Sequence, residues 1–365
     1  MYCDFLSGPG EVEEQETYMD CLVREIRQEA DSYVNYQVQT IFIGGGTPSL
    51  VSDRKLKEVL DAVYDWYNVA EEAEISIEVN PGTASEEKLI SYRKMGINRL
   101  SIGLQSVHDH ELSLLGRVHG SKEFFQTYEW SVKSGFSNIN IDLMSGIPSQ
   151  TLESWQETLT RVLSLRPQPS HISAYSLIIE EGTPFFLEKP ALPDEDADRE
   201  MYKMTNDILS KNGYNRYEIS NYSKPGYQCK HNKVYWLRGE YVGFGVGAAS
   251  LVVNTRFNNS RDRKLYMEQI TGGNPVRENV QRLSKEEQME ETMFLGLRLT
   301  EGVSLTRFET LFHTSVEQVY PGLIDRLHRQ GLIDYVCYDN GEKERIYLTE
   351  YGLDVSNVVM AEFLL

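Results

Sequence analysis

Short apolar runs alternate with longer amphipathic segments over the first half of the chain. Five of the runs predict β-strands, at residues 39–43, 74–79, 97–104, 138–144 and 170–177. Apolar residues at helical spacing, several times after a capping Ser or Thr, predict helices at residues 13–34, 52–67, 85–95, 121–134 and 151–163. This alternation predicts parallel β/α units. Because it begins on a helix, the succession has lost its first strand or never had it.

The pattern changes after the fifth predicted strand. Residues 181–194 carry three prolines and predict a surface loop, and a helix is predicted next at residues 195–212. The chain then becomes rich in Tyr and Gly, with short strands predicted at residues 214–220 and 241–246.

The last part of the chain has a different order of elements. It predicts three helices, a hairpin that turns at residues 339–341 and a terminal helix, an order that resembles a winged helix. The sequence therefore predicts an α/β protein in three parts. These are a partial β/α barrel at residues 1–225, a connecting segment at residues 226–282, and a C-terminal α+β winged-helix-like domain at residues 283–365.

Composition limits the function classes. The 365 residues include 36 Lys and Arg against 55 Asp and Glu, and the formal net charge of −19 argues against binding to nucleic acid or anionic lipid. No apolar run reaches the roughly 18–20 residues that span a bilayer, and the start of the chain has no leader pattern, so we expect a cytoplasmic protein without stable membrane insertion. The four cysteines, Cys3, Cys21, Cys229 and Cys337, are too few and too scattered for a disulfide framework.

A glycine segment follows the first predicted strand, in the string Gly44-Gly45-Gly46-Thr47-Pro48-Ser49. Glycines leave the backbone free to take positive φ and to present N–H groups to a nearby ligand. A glycine turn at the end of a strand is the simpler interpretation of the triplet alone. Its place at the carboxyl end of a parallel strand favours a ligand, because ligands bind at that edge of a barrel.

Other polar residues come at the ends of the later strands. They are Glu78 and Asn80, Gln105 and Ser106, Asp142 and Ser145, and Ser173 to Ser176. Taken singly, each is more readily explained as a cap or turn residue, but four strands that end in polar groups indicate a pocket at one edge of the barrel. Arg117 and His119 come after the third strand, where the Arg117 fork could clamp a carboxylate or form a surface ion pair.

Longer strings along the chain carry a family resemblance. They are Tyr2-Cys3-Asp4-Phe5, IFIGGGTPS, IEVNPGT, GINRLSIGLQS, LGRVH, IDLMSGIP, Glu181-Gly182-Thr183-Pro184, the run at residues 229–250 and LTEYGLDVSN. In order and spacing the chain resembles the radical S-adenosylmethionine (SAM) family, in the branch of oxygen-independent coproporphyrinogen III oxidase and the HemW heme chaperones. The resemblance implies a partial (β/α)6 radical SAM barrel that lacks its first strand here, with a HemN-like C-terminal domain.

The resemblance also implies cofactors and the residues that hold them. In this family a C-x3-C-x2-C motif binds a [4Fe-4S] cluster, whose fourth iron chelates SAM and whose electron cleaves it to a 5′-deoxyadenosyl radical. Cys3 matches the third cysteine, with Tyr2 just before it. The SAM-binding positions match Gly45, Gly46, Thr47, Glu78, Gln105, Arg117 and Asp142. No catalytic side chain is implied, and the cluster needs an electron donor.

The cluster motif is incomplete in this chain. Cys3 has only two residues before it, and Cys21 is no substitute, because it comes 18 residues later on a predicted helix. One thiolate does not hold a [4Fe-4S] cluster, so we hypothesise that the natural protein begins roughly 15–20 residues upstream, with the missing cysteines and strand. The alternative is a homologue without a cluster.

Two features separate the branches of the family. Phe5 stands where the oxidase branch has a further cysteine, and His231-Asn232-Lys233-Val234-Tyr235-Trp236 matches the H-N-x-x-Y-W motif proposed to bind heme in the chaperone branch. A His beside Tyr and Trp offers an axial nitrogen and a flat aromatic surface. His231 as a turn cap, with the aromatics in a core, is the alternative. We therefore expect a heme chaperone that delivers heme to an acceptor protein. The alternatives are coproporphyrinogen III oxidation and an inactive fragment.

Overall fold

A seven-stranded sheet is the largest element of the computed structural model, which describes residues 6, 8, 10–337 and 343–365. Its strands are β1 Gln37–Ile43, β2 Asn68–Val79, β3 Arg99–Gln105, β4 Asn138–Ser145, β5 His171–Ser176, β6 Asn215–Arg216 and β7 Asn221–Ser223. They lie in the order β1-β2-β3-β4-β5-β7-β6. Neighbouring strands from β1 to β5 are parallel, and β7 is antiparallel to both β5 and β6. The predicted α/β partial barrel is confirmed.

Helices precede, connect and follow the parallel strands, and several of them begin directly after a capping Ser or Thr. They are α1 Val12–Glu29, α2 Asp53–Trp66, α3 Glu86–Lys94, α4 Asp109–Leu114, α5 Ser121–Lys133, α6 Leu152–Leu163, α7 Pro184–Glu188 and α8 Glu195–Lys211, with short 3₁₀ turns at Ala30–Tyr33 and Pro48–Leu50. Ser52, Ser85 and Thr151 each accept a hydrogen bond from the backbone N–H three residues later, which satisfies a donor at the start of the helix.

The two faces of the sheet differ in chemistry. On β2, Ile75 and Ile77 are buried in the main core, where the helices cover the convex face of the sheet. Alternate residues of a strand point to opposite faces, so Glu74, Ser76 and Glu78 point to the concave side. The same alternation repeats on β3 and β4. The concave face is therefore polar, as a ligand-binding face requires and a packed barrel interior does not.

The connecting segment and the C-terminal unit carry the remaining elements. In order they are α9 Lys230–Trp236, β8 Ala249–Val252, β9 Thr255–Asn259, α10 Arg263–Gly272, β10 Arg277–Arg282, α11 Lys285–Gly296, β11 Val303–Ser304, α12 Leu305–Phe312, α13 Val316–Val319, α14 Leu323–Arg329, β12 Ile333–Cys337, β13 Lys343–Leu348, α15 Glu350–Asp354 and α16 Ser356–Ala361. Strands β10-β9-β8 form one sheet and β11-β13-β12 another. The C-terminal unit has a second core of its own, with Phe308, Ile346 and Phe363 at its centre.

Three expectations from the sequence differ from the structure. The strand expected at residues 241–246 is wrong: the segment makes one isolated bridge at Tyr241 and then turns, with positive φ at Gly245. Strand β2 begins six residues earlier than expected, and the loop expected at residues 181–194 contains α7, which Thr183 caps. The predicted turn at residues 339–341 lies outside the described residues. In the ranges that the structure describes, no helix is long and apolar enough to cross a membrane.

Candidate functional site

The glycine segment lies against Glu78 at the carboxyl edge of the sheet. The Gly45 N–H donates to Glu78 Oε2 at 3.2 Å, and Gly45 has a φ of +109°, a region that favours glycine. A Cβ on Gly44 would come within 3.0 Å of the Glu78 carboxylate. The φ of Gly45 favours glycine, and a side chain at position 44 would crowd the Glu78 carboxylate. Gly46 and Thr47 continue the same loop, which is open to solvent at the three glycines.

Arg117 closes the other side of this edge. Its Nη2 donates to Asn80 Oδ1 at 2.9 Å and to the Gly103 carbonyl at 3.0 Å, and Asn80 Nδ2 donates to Thr47 Oγ1 at 3.2 Å. A Cβ on Gly103 would approach Arg117 Nη2 to 3.0 Å. Among the residues that the structure describes, Arg117 forms no ion pair with a carboxylate, so its guanidinium is held by Asn80 and the Gly103 carbonyl and not by a surface partner. Its buried Nε has no hydrogen-bond partner among the described residues.

Gln105 and Asp142 complete the set of candidate positions. Gln105 ends β3 with a φ of +69°, and its Nε2 lies beside Gly103. Asp142 lies on β4 opposite Gly103 of β3, where Ser101 Oγ donates to Oδ2 at 2.9 Å and Asn140 Nδ2 donates to Oδ1 at 2.8 Å. We call Gly44–Thr47, Glu78, Asn80, Gln105 and Arg117 the rim, and Asp142 lies beside it on β4.

Burial controls the charge of this edge. Burial, together with repulsion from Asp142, raises the pKa of Glu78 to about 7, although the hydrogen bond from the Gly45 N–H opposes the shift. Burial also raises the pKa of Asp142, against the hydrogen bonds from Ser101 and Asn140. His119, buried near the rim, has a pKa lowered to about 4 by burial and by the charge of Arg117. The edge therefore holds two carboxyl groups that a cationic or hydroxyl-bearing ligand can stabilise.

A hydrogen-bonded network, absent from the sequence-based expectations, lies below the rim. Asn140 Oδ1 is 2.6 Å from His171 Nδ1, and His171 Nε2 is 2.8 Å from Tyr217 Oη, which accepts from the Cys229 N–H. Glu74 accepts from three groups at the start of α9: the Cys229 thiol, the Lys230 N–H and the His231 N–H. The Glu74 carboxylate therefore anchors α9 to the inner face of β2. The signal for it in the sequence was Glu74, at a position where the alternation of β2 puts a carboxylate on the concave face.

The H-N-x-x-Y-W motif lies on α9, and its histidine is fully engaged. His231 Nδ1 lies 2.8 Å from Thr40 Oγ1, and His231 Nε2 lies 2.8 Å from Tyr235 Oη. The imidazole also packs against Phe42, with ring centroids 5.2 Å apart. Burial lowers the pKa of His231 to about 4. Thr40 precedes the glycine segment by four residues, which places His231 about 13 Å below the rim at ~3.3 Å per residue.

The cysteines in the described part of the chain do not gather at the rim. Cys21 is buried on α1 near Met267, Cys229 is buried beside Glu74, and Cys337 is exposed on β12. Within residues 10–337 and 343–365, no group of three or more His, Cys, Asp or Glu side chains could hold a metal ion. Tyr2, Cys3 and Phe5 lie outside the described residues.

Comparison with known proteins identifies the family. Residues 1–162 match the radical SAM superfamily and residues 283–354 match the HemN C-terminal domain. The chain is 35% identical to the heme chaperone HemW of Lactococcus lactis and 36% identical to that of Bacillus subtilis. Each alignment covers 100% of this chain and, respectively, 93% and 95% of the relative. The chain belongs to the HemW family of radical SAM proteins. A solved coproporphyrinogen III oxidase, HemN from Escherichia coli, has the same fold, with a TM-score of 0.86 at 21% identity over 100% of this chain and 86% of that one.

HemW-family membership implies a [4Fe-4S] cluster and SAM, and the described residues suit the two differently. The rim suits SAM: a Cβ on Gly45 would meet no atom within 4 Å, so the loop backbone there is open to a ligand, and the buried Nε of Arg117 has no partner among the described residues. The described residues do not supply a cluster site, because their three cysteines lie elsewhere. The one candidate ligand, Cys3, lies outside them.

Proposed function

We propose that this protein is a heme chaperone of the HemW type, which binds heme and transfers it to an acceptor protein. The observation that carries the proposal is similarity along the whole chain, at 35–36% identity, to proteins named heme chaperone HemW. The likeness to coproporphyrinogen III oxidase is one of fold, and one fold hosts many activities. We further propose that it acts in the cytoplasm, since its three described cysteines are free thiols.

We propose that SAM binds at the rim, where a reduced cluster would convert it into a source of radical chemistry. The residues assigned to it are Gly45, Gly46, Thr47, Glu78, Gln105, Arg117 and Asp142. In this assignment the glycine loop presents backbone N–H groups, Glu78 and Asp142 accept from amine or hydroxyl groups, and Arg117 holds Asn80 and the β3 backbone in place. Tyr2 and Cys3 are assigned to the same cofactor pair, and an electron donor is a required partner.

The assignment of His231 as a heme ligand stays a prediction, and it requires that one hydrogen bond of the imidazole be broken. His231 Nε2 must leave Tyr235 Oη before it can bind iron, because both ring nitrogens are in hydrogen bonds. If His231 is the ligand, His231→Ala removes the histidine-type Soret band of the heme complex, while Tyr235→Phe, which frees Nε2, keeps it. An identical spectrum for wild type and His231→Ala excludes the ligand role.

A titration and a transfer assay test the chaperone function. Hemin is added to the anaerobically purified protein, binding is followed by Soret absorbance, and the loaded protein is mixed with apomyoglobin as a generic acceptor. We expect saturable binding and transfer of heme to apomyoglobin. Absence of saturable binding contradicts the proposal.

The oxidase alternative has its own assay. The same preparation is incubated with coproporphyrinogen III, SAM and a reductant, and the porphyrins are separated after oxidation. We expect no product above the protein-free control. Protoporphyrinogen in amounts that grow with time contradicts the chaperone assignment.

A further inference from the structure

A groove lies between the end of α9 and the C-terminal unit. We call it the Trp236 groove, and its volume is about 290 Å³. Its lining residues are Trp236, Phe294, Leu295, Arg298, Asn357, Met360, Ala361 and Leu364. Three elements contribute to it: the motif helix α9, helix α11 with the turn after it, and the C-terminal helix α16 with the residue three beyond it. Most of the wall is aliphatic or aromatic.

Arg298 gives this apolar groove a positive charge. Its guanidinium lies over the Trp236 ring, 4.2 Å from the centroid, and its Nη2 forms a long ion pair with Glu218 Oε2 at 3.7 Å. Within the described part of the chain, the buried Nε of Arg298, Nε1 of Trp236 and Oε2 of Glu218 have no hydrogen-bond partner. Buried polar atoms without a partner are uncommon, so the two donors, Arg298 Nε and Trp236 Nε1, call for an explanation such as a bound acceptor. In a protein of net charge −19, a cation at an apolar wall favours an anionic apolar ligand.

Size and chemistry together select the ligand. Pockets that enclose a drug-sized molecule measure about 300–1,000 Å³, so a ligand as large as a macrocycle can enter this groove by one edge only. Resting on the proposed heme function, we propose that the Trp236 groove binds the propionate edge of heme, with Arg298 pairing with a propionate and the apolar wall contacting the macrocycle. An arginine pairs with a carboxylate through charge-assisted hydrogen bonds, which are roughly twice as strong as neutral ones.

Two ligands and matched variants test the proposal. Hemin and hemin dimethyl ester, which lacks both carboxylates, are titrated into wild type, Arg298→Gln and Arg298→Lys. We expect Arg298→Gln to weaken hemin binding about tenfold or more, because a hydrogen bond to a charged group contributes about 1.5–3 kcal/mol. The ester binds wild type and Arg298→Gln equally, and Arg298→Lys regains part of the hemin affinity. Arg329→Gln, an exposed arginine on α14, makes the same charge change outside the groove and leaves both ligands unaffected.

A second variant tests the shape of the groove without touching Arg298. Ala361 is exposed and lines the groove, so Ala361→Trp fills it and weakens hemin and its ester alike. If wild type binds hemin and neither Arg298→Gln nor Ala361→Trp changes its affinity, the groove proposal is overturned while the heme function stands. If wild type binds neither hemin nor the ester, both proposals fall. Circular dichroism of each variant confirms that the fold is kept.

Discussion

Buried Glu25 makes the stability of the protein depend on pH. Its side chain is 2% exposed, and its carboxylate accepts hydrogen bonds from the Gly245 N–H at 2.8 Å, Tyr266 Oη at 2.7 Å and Asn259 Nδ2 at 2.6 Å. Burial nevertheless raises the pKa of Glu25 to about 7, because the three donors only partly replace water. Glu25 joins α1 to the glycine loop of the connecting segment, so its ionisation affects that contact.

The direction and the size of this pH dependence follow from the linkage between proton binding and unfolding. Between pH 4.5 and 7 the folded protein keeps the Glu25 proton that the unfolded chain releases, so the free energy of unfolding falls as pH rises. The slope approaches 1.36 kcal/mol per pH unit, and for these two pKa values the loss between pH 5 and pH 8 is about 2.5 kcal/mol. Glu25→Gln carries no titrating group and loses this contribution. Glu78 and Asp142 shift in the same direction, but they are common to both proteins and cancel in the difference.

Urea unfolding of wild type and Glu25→Gln at pH 5, 6, 7 and 8 measures this difference. We expect the stability of Glu25→Gln relative to wild type to rise by about 2.5 kcal/mol from pH 5 to pH 8. Glu13→Gln, at an exposed position in the first turn of the same helix, is the control and should follow wild type at every pH. A difference between Glu25→Gln and wild type that stays constant with pH would refute the reasoning.

Three further substitutions probe the rim, α9 and the core. Gly103→Val should push Arg117 off the β3 backbone. We expect SAM binding, measured by equilibrium dialysis, to weaken about fivefold, which is the equivalent of one hydrogen bond. Unchanged binding would mean that Arg117 is not part of the SAM site. Glu74→Gln should lower the free energy of unfolding by about 1–2 kcal/mol and speed amide hydrogen exchange in α9, because Glu74 accepts from the backbone at the start of that helix. Equal exchange rates in wild type and Glu74→Gln would mean that other contacts hold α9. Trp155→Phe, which loses the 3.0 Å bond from Nε1 to Thr205, should cost about 2 kcal/mol in urea unfolding, with a neutral result counting against that bond.

The barrel was predictable from the sequence because its local features, the helix caps and the apolar strand runs, coincide with the packing that the structure shows. Each of α2, α3 and α6 begins directly after a Ser or Thr that does cap it, and each parallel strand contains an apolar run that the helices cover. The failure at residues 241–246 has a physical cause. Alternating glycines there look like a tight strand, but Gly245 takes a φ of +100° and its N–H bonds to Glu25, 220 residues away in the chain.

Only those features of the site that follow from the parallel arrangement of the strands were predictable from the sequence. Strand ends meet at one edge whatever the details, so Glu78 and the glycine loop were expected together, and the structure joins them. The partners of Arg117 were not predictable, because Asn80 follows β2 whereas Gly103 lies within β3. A glycine inside a β-strand signals a close approach by another group, and Gly103 fits that rule once the structure is known.

The H-N-x-x-Y-W motif does not form one continuous surface on α9. Trp236 comes five positions after His231, and at 100° per residue their side chains point about 140° apart around the helix. His231 faces β1 and Trp236 faces the C-terminal unit, so one macrocycle cannot contact both in the present arrangement. If His231→Ala and Arg298→Gln each weaken a single hemin-binding event, α9 must move when heme binds. If they remove two separate events, the two faces of α9 are two sites, and the stoichiometry of hemin to protein is two in wild type and one in each variant.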